Sequence, residues 1–171
     1  MNTSNWQWLQ ERFQMTDYEL SKITIRRPQL LTLDISVLED RSAWLQNRLA
    51  LENWELSAMV QRDPGLLKLN TEQNLKPTLD YLQKRLAVDD ATLSKTVQKC
   101  PSILGFSIND GLEPKLNYLQ IRLQLDDSSL GKLIRRFPSI LNYSLADKIE
   151  PKLNWLQKRL DLNKAQMGKL I

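Results

Sequence analysis

The chain has 171 residues, 42% hydrophobic and 26% charged, a composition of one soluble globular domain rather than of a disordered or bilayer-spanning chain. Its 24 Lys and Arg against 20 Asp and Glu give a net charge of +4, a mild basic excess that suits a polyanionic partner without requiring one. There is no histidine and one cysteine, Cys100, which excludes Ser-His-Asp and Cys-His catalysis, imidazole or thiolate metal sites and an internal disulfide.

The N-terminal stretch MNTSNWQWLQERF has neither the basic start and apolar run of a signal peptide nor the Arg- and Ser-rich character of a transit peptide. No run reaches the roughly 18 apolar residues that a membrane-spanning helix needs. The chain then repeats itself. An aromatic-Leu-Gln-x-Arg-Leu/Phe motif starts at Trp8, Trp44, Tyr81, Tyr118 and Trp155, at intervals of 36, 37, 37 and 37 residues. Between its copies, Pro-x-Leu/Ile-Leu recurs at Pro28, Pro64, Pro101 and Pro138, and a further proline recurs at Pro77, Pro114 and Pro151. Three landmarks sharing one period define a repeat array.

Each repeat reads as two helices and a connector. Around Tyr118, Leu112, Leu116, Leu119 and Leu123 form one apolar stripe, with Pro114 in the first turn of that helix. A second helix starts at Asp126 and Asp127, where acids favour the positive end of the macrodipole, and carries Leu130, Leu133, Ile134 and Phe137. Pro138 ends it, because the residue before a proline is steered out of the helical region. The connector is expected to be a tight 3₁₀ turn burying Ile140 and Leu141. Asp34, Asn70, Ser107 and Ser144 stand where an N-cap is needed as the chain turns back. The next first helix either starts there and kinks at the later proline, or starts at the proline.

Such hairpins bury their stripes only by stacking. The expected fold is an all-α α-solenoid of about 37-residue helical hairpins with short 3₁₀ turns, one array over residues 1–171 of about four and a half units. Met1 falls just before a first helix and Ile171 aligns with Ile134, so the array is expected to be cut within a unit at both ends.

The second helices carry the candidate binding residues: Lys22, Arg26, Arg62, Lys95, Lys99, Lys132, Arg135, Arg136 and Lys169. Arg26, Arg62, Lys99 and Arg136 share one register position, and such a row suits a regular polyanion. Basic residues near a helix C-terminus also complement its dipole, so a purely structural role fits too. Arg48, Arg85, Arg122 and Arg159, with Arg12, stand four residues after the motif aromatic, where a guanidinium can stack on the ring and staple neighbouring units, or form a ladder toward phosphates. Lys115 and Lys152 follow the repeated prolines and are weaker candidates. Cys100 reads as an inert, half-buried thiol, and the motif aromatics read as packing groups, with Trp6 and Trp54 outside that slot. No glycine-rich phosphate loop, acidic metal cluster or paired carboxylate stands out, so no enzyme activity, metal, cofactor or small-molecule substrate is expected.

Units such as PSILGFSINDGLEPKLNYLQIRLQL and PSILNYSLADKIEPKLNWLQKRLDL resemble the repeats of the mitochondrial transcription termination factor (mTERF) family. Pro-x-Ile-Leu, the Glu-Pro-Lys-Leu runs at 113–116 and 150–153, and the following aromatic-Leu-Gln carry the likeness, which extends from Trp8 to the end. The first unit departs from it, with Asp40, Ser42 and Ala43 in place of Pro, Leu and a polar residue. The resemblance implies a curved superhelix of hairpins that binds double-stranded nucleic acid or structured RNA in mitochondria or chloroplasts. Its roles there would be transcription termination or initiation, RNA splicing or ribosome assembly. A scaffold that binds other proteins along a concave helical surface is the alternative.

Overall fold

Leucine spacing, prolines and capping side chains together set where each helix begins and ends. A computed structural model describes residues 4–170 and shows ten α-helices, with no strand among the described residues. They are α1 (Asn5–Phe13), α2 (Asp17–Arg26), α3 (Ile35–Leu49), α4 (Asn53–Arg62), α5 (Lys76–Leu86), α6 (Asp90–Lys99), α7 (Glu113–Leu123), α8 (Asp127–Arg136), α9 (Glu150–Leu160) and α10 (Lys164–Leu170). The 3₁₀ turns Pro28–Thr32, Pro64–Lys68, Pro101–Gly105 and Pro138–Asn142 each open on a repeated proline. The protein is an all-α helical-repeat fold of hairpins joined by 3₁₀ turns. The expectations attached to Met1 and Ile171 lie outside the described residues.

The four residues expected as N-caps are caps: Asp34 accepts from the Ser36 amide, Asn70 from Glu72 and Gln73, Ser107 from Asp110 and Ser144 from Asp147. The helix therefore starts at the cap, and the proline that follows reshapes its first turn. Thr71–Leu75, Ile108–Leu112 and Leu145–Ile149 are π turns, with the Leu75 amide donating to Asn70, Leu112 to Ser107 and Ile149 to Ser144 five residues back. Pro77, Pro114 and Pro151 have no N–H, and their rings would strike the carbonyl four residues earlier. A one-residue slip of the ladder removes that conflict. Asp40 supplies the control: it stands at the proline position of the first repeat, and α3 runs without a π turn, Leu38 donating to Asp34 four residues back.

Every first helix ends the same way. Gln14, Ala50, Ala87, Gln124 and Asp161 take the left-handed conformation with φ near 50°, and the residue after each donates five residues back, to the glutamine of the repeat motif. Met15 and Leu51, two of the residues that follow, are buried, completing the apolar contact of a Schellman ending. Phe137 departs from the expected stripe. It caps α8 outside the helix and is 46% exposed, because the non-helical backbone before Pro138 turns the ring away from Leu133 and Ile134. In the connector Leu141 is buried and Ile140 half-buried.

Contacts group the described residues into two compact units, 4–77 with 100–105 and 78–99 with 106–170. In the first, Leu9, Leu20, Leu38, Leu45, Leu56 and Leu66 are almost completely buried; in the second, Leu79, Leu82, Leu93, Leu116, Leu119 and Leu130 are. One close crossing recurs in both. In the first unit the Ser57 hydroxyl on α4 donates to the Phe13 carbonyl at the end of α1, at 2.8 Å. On α8 and α10 of the second unit the same register position is glycine: a Cβ on Gly131 would lie 2.5 Å from the Leu86 carbonyl oxygen, and one on Gly168 would strike that of Leu123.

Gly131→Ala is therefore expected to destabilise the fold by about 1–3 kcal/mol through overpacking against backbone, read as a lower urea or thermal midpoint. The helix caps carry a pH dependence. Hydrogen bonds from Thr92 and Ser129, first from the side chain and then from the backbone, hold the Asp89 and Asp126 carboxyls below the usual range. A folded-state value below the unfolded one means this stabilisation is complete above about pH 4 and is lost as pH falls further. Thermal midpoints are expected to drop below about pH 4, and the double change Asp89→Asn, Asp126→Asn to shallow that drop.

Candidate nucleic-acid interface

All nine primary candidate cations are exposed. Lys22 and Arg26 on α2 and Arg62 on α4 belong to the first unit; Lys95 and Lys99 on α6, Lys132, Arg135 and Arg136 on α8 and Lys169 on α10 belong to the second. The charge is divided unequally. The first unit holds 9 Lys and Arg against 10 Asp and Glu, a net of −1; the second holds 15 against 10, a net of +5. In the second unit α6 packs on α8, and Lys132, Arg136, Leu133 and Gly168 line a groove of about 240 Å³ between α8 and α10. Lys95, Lys132 and Lys169 share one register position on these three helices, 37 residues apart.

The row at the helix ends has a second occupation. The Arg26 guanidinium donates to the Gln61 and Arg62 carbonyls at 3.1 and 2.9 Å, and the Lys99 ammonium donates to the Arg135 carbonyl at 3.1 Å. In each unit, then, a cation ending one second helix satisfies the free carbonyls ending the next, where the macrodipole is negative. Arg136 lies over the Phe137 ring at 5.1 Å and Lys22 over the Tyr18 ring at 4.0 Å. Lys95 and Lys132 face carboxylates at helix starts, adding to the lowering of Asp89 and Asp126.

The motif arginines reach away from their own rings. Arg12 donates to Gln46 at 2.6 Å and to Asn53; Arg85 to Gln120, Asn117 and Asp127; Arg122 to Gln157 at 2.7 Å and Asn154 at 2.8 Å. Each guanidinium thus grips the motif glutamine of the following hairpin, and the Gln46 and Gln120 amides in turn donate to the first residue of their second helices, Asn53 and Asp127. The glutamine, a landmark in the sequence, is the acceptor that sequence reasoning missed. The expected stack on the motif ring gives way to this clasp: Tyr81 and Tyr118 place buried hydroxyls beside Arg85 and Arg122 without forming a hydrogen bond, and burial raises both phenols. Arg12 lies over Phe13 instead, at 5.6 Å. Arg48 is half-buried and Arg159 is exposed.

Lys115 donates to the Leu141 carbonyl in the 3₁₀ turn and lies over the Phe106 ring at 4.6 Å; desolvation lowers its pKa. Arg41, at the equivalent position of the first repeat, does the same to Leu67 at 2.9 Å, and only the missing proline hid the equivalence. Lys152 stays exposed over the Tyr143 ring at 5.5 Å. Cys100 is buried, 5% exposed, with its sulfur 3.4 Å from the Ser102 hydroxyl.

Among the described residues no group of three His, Cys, Asp or Glu side chains is placed to hold a metal, and no helix is long and apolar enough to cross a membrane. A double-mutant cycle on Arg85→Ala and Gln120→Ala is expected to give a coupling of about 1–3 kcal/mol, since this bond has a charged donor and a part-buried setting.

The hairpin, the π turn at each repeated proline and the Arg–Gln clasp describe one repeating unit in structural terms. No curated protein matches the chain. A family profile described as mTERF matches residues 2–89, just over half of the sequence and running from α1 through α5. The chain belongs to the mTERF family.

Proposed function

We propose that the protein binds nucleic acid in organellar gene expression, in transcription termination or regulation, RNA processing or ribosome assembly, within mitochondria or chloroplasts. The second unit holds the phosphate backbone of a duplex or of structured RNA. Lys95, Lys132 and Lys169, exposed at one register position, supply the contacts, with Arg135 and Arg136 beside them. Lys99 is shared with the end of α8. The observation that carries this reading is the concentration of the whole basic excess in one unit, with six exposed cations on three second helices. Family membership supports the same reading. Contacts of this kind require only positive charge within reach of phosphate, so binding is dominated by counterion release and little by base identity.

Fluorescence anisotropy across a salt series, with duplex DNA, duplex RNA and single strands, tests it. With about five phosphates neutralised on a duplex, log affinity should fall with log salt at a slope near −4 to −5. Reversing Lys95, Lys132 and Lys169 together to Glu is expected to shallow that slope by about 2.7 while leaving the thermal midpoint close to that of the parent. An unchanged affinity would place the polyanion elsewhere.

A further inference from the structure

We infer that the first unit carries a seat for unpaired nucleotides, built on the exposed rings of Tyr18 and Trp54. This rests on the nucleic-acid reading above and adds the state of the nucleic acid that is bound. Tyr18 and Trp54 occupy one register position, the second residue of α2 and α4, 36 residues apart. They are 67% and 71% exposed, whereas Trp8 and Trp44 on the first helices of the same unit are half-buried. The equivalent positions on α6 and α8 are Ala91 and Ser128. Both rings thus leave most of their surface to water.

Their surroundings suit a nucleotide. Tyr18, Lys22, Ile25, Arg26 and Gln61 line a groove of about 630 Å³, within the 300–1,000 Å³ range of small-ligand sites. Tyr18 and the 79% exposed Ile25 give an apolar wall for a base, and Gln61 stands at its edge. The Lys22 ammonium caps one face of the Tyr18 ring, 4.0 Å from its centroid, and the Arg26 guanidinium is held in place by its two carbonyl acceptors, so two cations border the groove where a phosphate can meet them. Glu19 also lines the groove, but its carboxylate accepts from the Thr16 amide and hydroxyl at 2.9 and 2.8 Å and is engaged as a helix cap. Trp54 borders a second, smaller groove that shares Gln61. With a net charge of −1 the first unit has no broad field to draw a polyanion, so stacking must supply the attraction. Bases inside a duplex have both faces covered; only unpaired ones can meet these rings.

The full chain tests this with three probes: a 12-nucleotide single strand, the same strand with abasic sites, and the duplex of the same sequence. Tyr18→Ala and Trp54→Ala are each expected to weaken single-strand binding about 5- to 100-fold, the worth of one stacked base, with duplex binding unchanged. Tyr18→Phe and Trp54→Phe should retain it, and abasic sites should weaken the parent but not the alanine variants. Equal losses on strand and duplex, or none, would overturn the inference while leaving the proposed function standing. Failure of the parent to bind any of the three probes would sink both. Loss of self-association in the alanine variants, seen by sedimentation with strand binding intact, would assign the rings to a protein contact and overturn the inference as well.

Discussion

Within each unit a second helix crosses the carbonyl end of the first helix of the preceding hairpin at backbone range, α4 over α1 in one and α8 over α5 and α10 over α7 in the other, and the repeat geometry depends on that crossing. A helix end leaves carbonyls without donors, and a buried one must find partners. Here the left-handed residue after each first helix supplies one donor from within, and the crossing helix closes over what is left. Serine at the crossing answers with a hydroxyl, as Ser57 does to Phe13; glycine answers by letting the backbone come closer, as Gly131 does at Leu86. Either solution needs a small residue. A larger side chain would hold the hairpins apart and take the Arg–Gln clasps out of reach.

The clasps and the dipole-capping cations follow from the same closeness. Guanidinium groups are planar forks that satisfy several amide and carboxylate oxygens at once, which is why arginine ties hairpin to hairpin here. Part of the chain's positive charge is therefore spent on its own carbonyls. Charge that is already hydrogen-bonded must be shared or released before it can neutralise a phosphate, whereas Lys132 and Lys169 stand on exposed helix faces. A count of basic residues thus overstates what is free for a ligand. The register of each residue against the next helix end decides which cations are structural and which are available.

Some of this arrangement was legible at the level of residues. Helix starts at Asp34, Asn70, Ser107 and Ser144 could be read directly, because capping depends on a few neighbouring atoms. Whether the later proline began the helix or bent it could not be read, since a proline fits the first turn of a new helix and a one-residue slip of a continuing one alike. Comparison of Asp40 with Pro114 in three dimensions separates them. The arginine clasp was missed because a four-residue spacing brings ring and guanidinium together along one helix, yet an acceptor 34 or 35 residues away offered more. Phe137 was misplaced for a similar reason: helical periodicity counts it with Leu133, but the backbone has already left the helix there.

Period, helix class, caps and chain breaks were determined by the sequence alone, because each rests on contacts within a few residues or on a pattern that repeats identically. The division into a slightly acidic unit and a basic one was decided by tertiary structure, as were the contact that serine or glycine makes at the crossing and the exposure of Tyr18 and Trp54. Those properties belong to pairs of residues distant in the chain, and no spacing rule brings such pairs together until the hairpins have packed.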